Sequence, residues 1–339
     1  MKRVLAVLAA LAMVVAAWWI RSAFIDGDGG TGTGGGDELH LTCGSDLADV
    51  CKQLAADDGS IRVTVVAEGM TADQLSGDDA EATFDAWLTT GPWAQIVADN
   101  RSTANSKGRN PLGGTSEVLG RSPVTFVGPT DRLDALAAHC GGTATWVCIG
   151  DASGQRWDAV GGNPSWGQVK AGLAPPDSGA GLVALDQAMA DKADRTDWDL
   201  TDLDDASQWM SQLVGAAEIA ANPLNLLLTR PGSFSIAAPL ERQSGPQLQG
   251  AADGSRYSLL YPEPVVTADV TLSAAAGGEV DDLIERIGAD RLSEVLAEHG
   301  WRVDGQPSAA GVGSGGALPK GANLASPGAL QALREQWRG

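Results

Sequence analysis

The chain has 339 residues, of which 43% are hydrophobic, and it carries a formal net charge of −20. This length exceeds one average domain and the apolar content excludes a disordered chain, so we expect two lobes or two domains with extensions. The acidic balance argues against nucleic acid or anionic lipid as the main partner, because a polyanion would be repelled over most of the surface. A small anion could still bind at a local positive spot, because salt screens the distant charges.

The N-terminus, residues 1–24, has the pattern of an export signal. Lys2 and Arg3 precede an uncharged run from Val4 to Ile20. The run is near the lower length limit for a membrane span, and a pair of tryptophans lies where an interfacial belt would be. No persuasive cleavage site precedes them, so an uncleaved anchor is favoured over a cleaved signal peptide. Everything after this segment would then be extracytoplasmic.

Residues 25–37 form a glycine-rich stretch whose composition predicts a flexible tether. Residues 30–35 also match the dinucleotide fingerprint G-x-G-x-x-G. That pattern has meaning only between a strand and a helix of a βαβ unit, so we discard it here.

The four cysteines fall into two pairs with seven residues between partners: Cys43 with Cys51, and Cys140 with Cys148. In an exported protein an even cysteine count usually forms disulfides, and the local pairing is our first choice among three connectivities. Each bridge would join a strand to its adjacent helix, with Cys148 in a strand. A zinc site from all four is the weaker alternative, and with three scattered histidines we expect no metal and no cofactor.

After the tether, strand-like and helix-like segments alternate, which predicts an α/β fold with a mostly parallel sheet and helices on both faces. The predicted strands span 38–44, 61–69, 82–90, 121–129, 143–150, 232–241, 256–264 and 266–276. The predicted helices span 46–58, 92–102, 130–140, 178–192, 202–220, 223–230 and 280–300. Residues 305–339 are rich in Gly, Ala, Ser and Pro, and we interpret them as an appended tail with one short helix.

Two helix starts resemble each other. The strand ending at Cys43 breaks at Gly44 and Ser45 into a helix, and Ser178 and Gly179 open another helix after a proline-marked turn. A helix N-terminus offers free backbone N–H groups, which suit an anion or a strong hydrogen-bond acceptor. Ordinary N-capping explains the same residues, and both interpretations stay open.

Several short motifs occur in one characteristic order. They are "LTCGSDL" from Leu41, "RSPVTFVG" from Arg121, "PPDSGAGLVAL" from Pro175, "LLYPEPVVTADVTLS" from Leu259 and "HGWRVDG" from His299. In this order the chain resembles the type 2 periplasmic solute-binding proteins of ABC importers, with the closest likeness to the branch that includes molybdate and sulfate binders.

The resemblance implies a two-lobed clamshell of doubly wound, mostly parallel sheets. Lobe 1 would contain residues 38–120 plus 240–304, and lobe 2 residues 121–239, with a ligand between them. The ligand-binding residues that the resemblance implies are Gly44, Ser45, Asp46, Thr90, Gly91, Trp93, Arg121, Ser122, Ser178, Gly179, Ala180, Glu241 and Tyr261.

The function that follows is a membrane-tethered extracytoplasmic solute-binding protein. Its partners would be a small ligand, with an oxyanion as one candidate, and the permease of an ABC importer, but no nucleic acid. The alternative is a cell-envelope interaction protein that kept the clamshell fold without solute transport. No G-x-S-x-G or H-E-x-x-H motif is present, and we expect no enzyme activity.

Overall fold

A computed structural model describes residues 38–313 and 315–338 of the chain. The strands are β1 (Leu39–Cys43), β2 (Ile61–Val65), β3 (Ala86–Thr90), β4 (Leu112–Thr115), β5 (Gly120–Pro123), β6 (Phe126–Pro129), β7 (Ala171–Leu173), β8 (Glu218–Ile219), β9 (Ile236–Ala237), β10 (Tyr257–Leu260) and β11 (Thr267–Ala275). The α-helices are α1 (Ala48–Asp57), α2 (Glu68–Leu75), α3 (Trp93–Thr103), α4 (Thr130–His139), α5 (Trp146–Ala152), α6 (Gly179–Ala193), α7 (Leu200–Ala216), α8 (Pro223–Thr229), α9 (Glu241–Gly250), α10 (Val280–Ile287), α11 (Ala289–Glu298) and α12 (Pro327–Trp337).

The sheet of lobe 1 has the order β2-β1-β3-β11-β4, with β5 also paired to β11. β1 runs parallel to β2 and β3, whereas β11 runs antiparallel to β3, β4 and β5. Every residue of β3 is buried, as expected for a strand covered by helices on both faces. The carboxyl ends of β1 and β3 therefore lie side by side at one edge of the lobe.

The sheet of lobe 2 has the order β10-β6-β9-β7-β8. β7 runs parallel to β8 and β9, whereas β6 runs antiparallel to β9 and β10. Both sheets are therefore mixed, and the prediction of mostly parallel sheets needs correction. In lobe 1 the antiparallel pairs all involve β11, the strand by which the chain returns to that lobe, and in lobe 2 they all involve β6.

The boundary of lobe 2 also differs from the prediction, which placed residues 240–304 in lobe 1. β10 pairs with β6 over Phe126–Pro129, so Tyr257–Leu260 belong to the second sheet. The chain crosses between lobes after β5 and again between β10 and β11. The second crossing is therefore about twenty residues later than the sequence indicated.

Both disulfides of the local pairing are present. Cys43 at the end of β1 is bonded to Cys51 in α1, and Cys140 is bonded to Cys148. Cys148 lies in helix α5 and not in the predicted strand. The second bridge therefore joins two consecutive helices. A short apolar run such as residues 143–150 is compatible with either a strand or a buried helix, and tertiary packing decides between them.

The C-terminal region is part of the folded body, which corrects its interpretation as an appended tail. Ala329, Leu330 and Leu333 of α12 are 0 to 3% exposed and belong to the main core cluster. α12 packs on α3 of lobe 1 and on α6 and α7 of lobe 2. This helix therefore bridges the two lobes.

The predicted membrane anchor, residues 1–24, and the predicted tether lie outside the described residues. Among the helices that are described, none combines the length and apolar character needed to cross a bilayer.

Candidate functional site

Lobe 1 presents two carboxyl groups where β1 and β3 end. Asp46 follows the turn at Gly44 and Ser45, and Glu68 begins α2 just after β2; both acids are buried. The Ser45 backbone N–H and hydroxyl donate to Glu68 Oε2 at 3.2 and 2.9 Å. Thr90, at the end of β3, has its Oγ1 3.0 Å from Glu68 Oε1 and 3.3 Å from Asp46 Oδ2. The two acids and Thr90 thus form one buried polar cluster.

Lobe 2 meets this cluster with the N-terminus of α6. Ser178 caps the helix: its Oγ accepts from Gly181 N–H at 3.0 Å and donates to the Pro175 carbonyl at 2.8 Å. The next free amide, Ala180 N–H, donates across the interface to Asp46 Oδ2 at 2.6 Å. A carboxylate at a helix N-terminus is favoured by the unpaired amides and by the helix dipole. Here the chain itself supplies that carboxylate, from the opposite lobe.

The close approach of the lobes depends on glycine. A Cβ placed on Gly179 would lie 1.8 Å from Thr90 Oγ1 and 2.7 Å from the Thr90 carbonyl oxygen. No other residue type would fit without moving the lobes apart. Gly91 lies beside Val183 of lobe 2 in the same interface.

The carboxyl groups share an environment that favours protonation. Burial raises the pKa of Glu68 to about 8, and the neighbouring Asp46 charge adds to this. Burial also raises the pKa of Asp46, against the opposing charge of Arg242 and the hydrogen bond from Ala180. With Glu68 protonated, its hydroxyl can donate to Thr90, and Thr90 can donate to Asp46. This chain of hydrogen bonds would connect α2 of lobe 1 to α6 of lobe 2.

A second set of contacts between the lobes lies beside the first. Gly69 N–H donates to the Asp177 carbonyl at 2.8 Å. The Asp177 carboxylate accepts from Arg334 of α12, which also binds Asp73 of lobe 1. Trp93 is fully buried and lies beneath the same guanidinium, with the ring centroid 5.4 Å from Arg334 Cζ.

The structure brings together nine of the thirteen residues proposed from the sequence. These nine lie at the interface of the lobes: Gly44, Ser45, Asp46, Thr90, Gly91, Trp93, Ser178, Gly179 and Ala180.

The other four lie at the hinge, each with its own partner there. Arg121 Nη2 is 3.5 Å from Asp269 Oδ2, and Ser122 Oγ accepts from the Arg242 backbone N–H. Glu241 is fully buried, accepts from the Tyr261 hydroxyl and binds the Arg302 guanidinium at 2.6 and 2.7 Å. These contacts join segments at the crossings between the lobes.

The residues proposed from the sequence did not include five charged residues of the interface: Glu68, Asp73, Asp177, Arg334 and Arg338. Glu68 falls within the strand predicted over residues 61–69, whereas β2 ends at Val65 and Glu68 opens α2, shortly after a strand end as Ser45 does. Arg334 gave a weak signal. It lies four residues after Leu330 and next to Leu333, so a charged group falls within the apolar stripe of α12.

No model of a known protein family matches the sequence, and no curated protein matches it significantly. Solved structures do match the fold. The periplasmic binding protein AfuA from Actinobacillus pleuropneumoniae, bound to fructose-6-phosphate, aligns with a TM-score of 0.57 at 12% identity, over 88% of this chain and 97% of that one. Iron-bound HitA from Pseudomonas aeruginosa aligns with a TM-score of 0.55 at 12% identity, over 88% and 98%.

The ferric binding protein from Campylobacter jejuni aligns with a TM-score of 0.59 at 7% identity, over 88% of this chain and 98% of that one. At such identities the likeness establishes the fold and not the ligand. It also does not single out the molybdate and sulfate branch. The chain has the two-lobed α/β fold of the type 2 periplasmic binding proteins.

Proposed function

We propose that the chain is an extracytoplasmic solute-binding protein that captures a small ligand between its lobes for an ABC importer. An N-terminal segment would hold it at the membrane. The fold supports this proposal, and two disulfides fit an oxidising compartment outside the cytoplasm. The observation that carries it is the hydrogen bond from Ala180 N–H to the Asp46 carboxylate. This bond brings a donor of lobe 2 onto an acceptor of lobe 1, and such convergence supports a cleft that closes around a ligand.

The charges of the cleft favour a basic ligand over an oxyanion. An oxyanion at the N-terminus of α6 would have to displace the Asp46 carboxylate, which already accepts the Ala180 N–H. Asp73 and Asp177 add two further carboxylates at the same interface, and both already bind cationic groups of the chain itself, Arg334 and Arg338. A ligand with an amino, guanidinium or amide group would instead find acceptors on both lobes. We therefore propose a cationic or hydrogen-bond-donating solute in place of the oxyanion that the sequence suggested.

A thermal-shift screen of the full-length chain in detergent tests this function. A solute that binds only the folded state stabilises it by about 2.7 kcal/mol at a hundredfold excess over its dissociation constant. For a chain of this size that corresponds to a rise of several degrees in melting temperature. We expect basic amino acids, amines and guanidines to raise the melting temperature and sulfate, molybdate and phosphate to leave it unchanged. A shift with the oxyanions alone would contradict the proposed ligand class.

A second function is favoured by the position of α12, which packs on both lobes and covers their interface. A clamshell closed by its own helix could serve as a cell-envelope interaction protein without transporting a solute. If no solute class raises the melting temperature, the result would support this second function. Deletion of residues 326–339 should abolish partner recruitment if α12 binds the partner. It should also lower stability, because it removes buried Leu330 and Leu333.

A further inference from the structure

The guanidinium of Arg334 is fully buried between the lobes, where carboxylates from both lobes bind it. Nη1 and Nη2 lie 2.7 and 2.9 Å from the two oxygens of Asp73 on α2, and Nε lies 2.7 Å from Asp177 Oδ1 before α6. This is a forked, two-sided arrangement, in which the flat guanidinium matches the carboxylate oxygens in number and direction. An ammonium group has no such geometry.

Two further features shape the same site. The Trp93 ring lies under the guanidinium at 5.4 Å, a distance typical of cation–π contact. Gly69 borders the other side: a Cβ there would lie 2.6 Å from Arg334 Nη2 and 2.7 Å from Asp177 Oδ1. The site thus contains an aromatic platform and a gap that only glycine leaves open.

Two arginines, Arg334 of α12 and Arg338 just after it, lower the pKa of the carboxylate that they bind on lobe 1. Burial raises the pKa of Asp73, but hydrogen bonds and charge from Arg334 and then Arg338 outweigh it, so the pKa is lowered overall. Burial likewise lowers the pKa of Arg334, and the hydrogen bonds and charges of the two aspartates reverse this. Arg338 Nη1 and Nε lie 2.5 and 3.3 Å from the same two carboxylates, at the solvent side.

The residues that bind the guanidinium come from the two lobes, whereas the guanidinium itself comes from α12. Asp73, Trp93 and Gly69 belong to lobe 1, and Asp177 belongs to lobe 2. Arg334 comes from α12, which follows the last elements of lobe 1 by about thirty residues. The site formed by these four residues therefore contains no residue of α12.

We propose that Asp73, Asp177, Trp93 and Gly69 form a guanidinium-binding subsite of the cleft, and that Arg334 occupies it as a tethered ligand. The external ligand is then a compound that carries a guanidinium, either free arginine or an arginine in a peptide, and it competes with α12. This inference rests on the proposed function of the cleft as a ligand site.

Chemical rescue of an emptied site provides the test. Full-length Arg334→Ala removes the buried cation from the Trp93 ring and leaves Asp73 and Asp177 only Arg338, at the solvent side. We expect its melting temperature to fall by about 5 °C. Ethylguanidinium at millimolar concentration should restore at least half of that loss. Ethylammonium at the same concentration and ionic strength should restore less than a quarter, because it cannot bind both carboxylates as a fork. Equal rescue by the two compounds, or none by ethylguanidinium, would overturn the proposal.

Two variants control for a nonspecific cavity. Adding Asp177→Asn to Arg334→Ala removes the carboxylate of lobe 2 and should abolish the rescue. Arg101→Ala also deletes a buried arginine, but one that donates to backbone carbonyls in lobe 1, and ethylguanidinium should not rescue it. Rescue of the Arg101 variant, or rescue that persists without Asp177, would contradict a two-lobed subsite. If Arg334→Ala does not fold, Arg334→Gln, which keeps one donor, takes its place with the same expected order of rescue.

Further arms identify the source of the guanidinium. Free L-arginine and a short arginine peptide with blocked ends are added to Arg334→Ala, and the one that restores stability at lower concentration names the ligand type. The experiments distinguish failure of the guanidinium subsite from failure of the proposed function. A wild-type chain that responds to another solute, together with no rescue of Arg334→Ala, overturns the subsite alone. Rescue of Arg334→Ala with a silent wild-type screen establishes the subsite and overturns free capture of solute.

Discussion

Substitution of Asp46 tests whether the chain's own carboxylate holds the lobes together. Asp46→Ala removes the acceptor 2.6 Å from Ala180 N–H and leaves that amide buried without a partner. A hydrogen bond to a charged group contributes about 1.5 to 3 kcal/mol, and an unsatisfied buried donor costs a similar amount. Removing a buried charge beside Glu68 offsets part of the loss, since burial already raises the pKa of Asp46. We expect a net loss of about 2 to 3 kcal/mol in the free energy of unfolding.

Urea unfolding followed by tryptophan fluorescence measures this loss, and small-angle scattering reports whether the lobes separate. Asp46→Asn is the matched control, because its amide oxygen can still accept from Ala180 and its side chain has the same shape. It should lose less than about 1 kcal/mol and keep the wild-type radius of gyration. The reasoning is refuted if Asp46→Ala is as stable as the wild type, or if both variants lose stability equally.

Three further predictions concern the same interface and its supports. The pKa of Glu68 is raised from 4.5 to about 8, so its contribution to stability is present below about pH 4.5 and is lost as the pH rises through 8. Glu68→Gln should remove this dependence, and melting temperatures measured from pH 5 to pH 9 check it against the declining wild-type curve. Gly179→Ala should push Thr90 away and separate the lobes, seen as an increased radius of gyration, whereas an unchanged radius would mean that the interface is not tightly packed. Replacing Cys43 and Cys51 together by Ser opens a short loop and should cost about 2.5 kcal/mol in urea unfolding, with no loss expected if the bridge is unimportant.

The features predicted from sequence are those that local chemistry determines. The break after Cys43, the cap at Ser178 and the local disulfides depend on neighbouring residues, and the structure contains all of them. Cys148 shows the limit of such reasoning. Its apolar surroundings fit a strand or a helix, and packing against the rest of lobe 2 selects the helix.

The partners across the cleft could not be read from the sequence, because they are brought together by the fold. Asp46 and Ala180 are separated by 134 residues, and Arg334 and Asp73 by 261. Each residue by itself resembles a cap or a solvated charge. The composition of residues 305–339 added to the difficulty, since a stretch rich in glycine and proline resembles a tail although α12 is buried in the core.

Residue-resolved hydrogen exchange of the full-length chain tests most directly whether the lobes are closed by the chain's own groups. Two amides cross the cleft: Gly69 N–H donates to the Asp177 carbonyl, and Ala180 N–H donates to the Asp46 carboxylate. If the lobes are held closed without added ligand, both amides should exchange as slowly as the buried strand β3, because opening must break the whole interface. Exchange of both amides at the rate of exposed loops, with β3 still protected, would contradict the closed cleft.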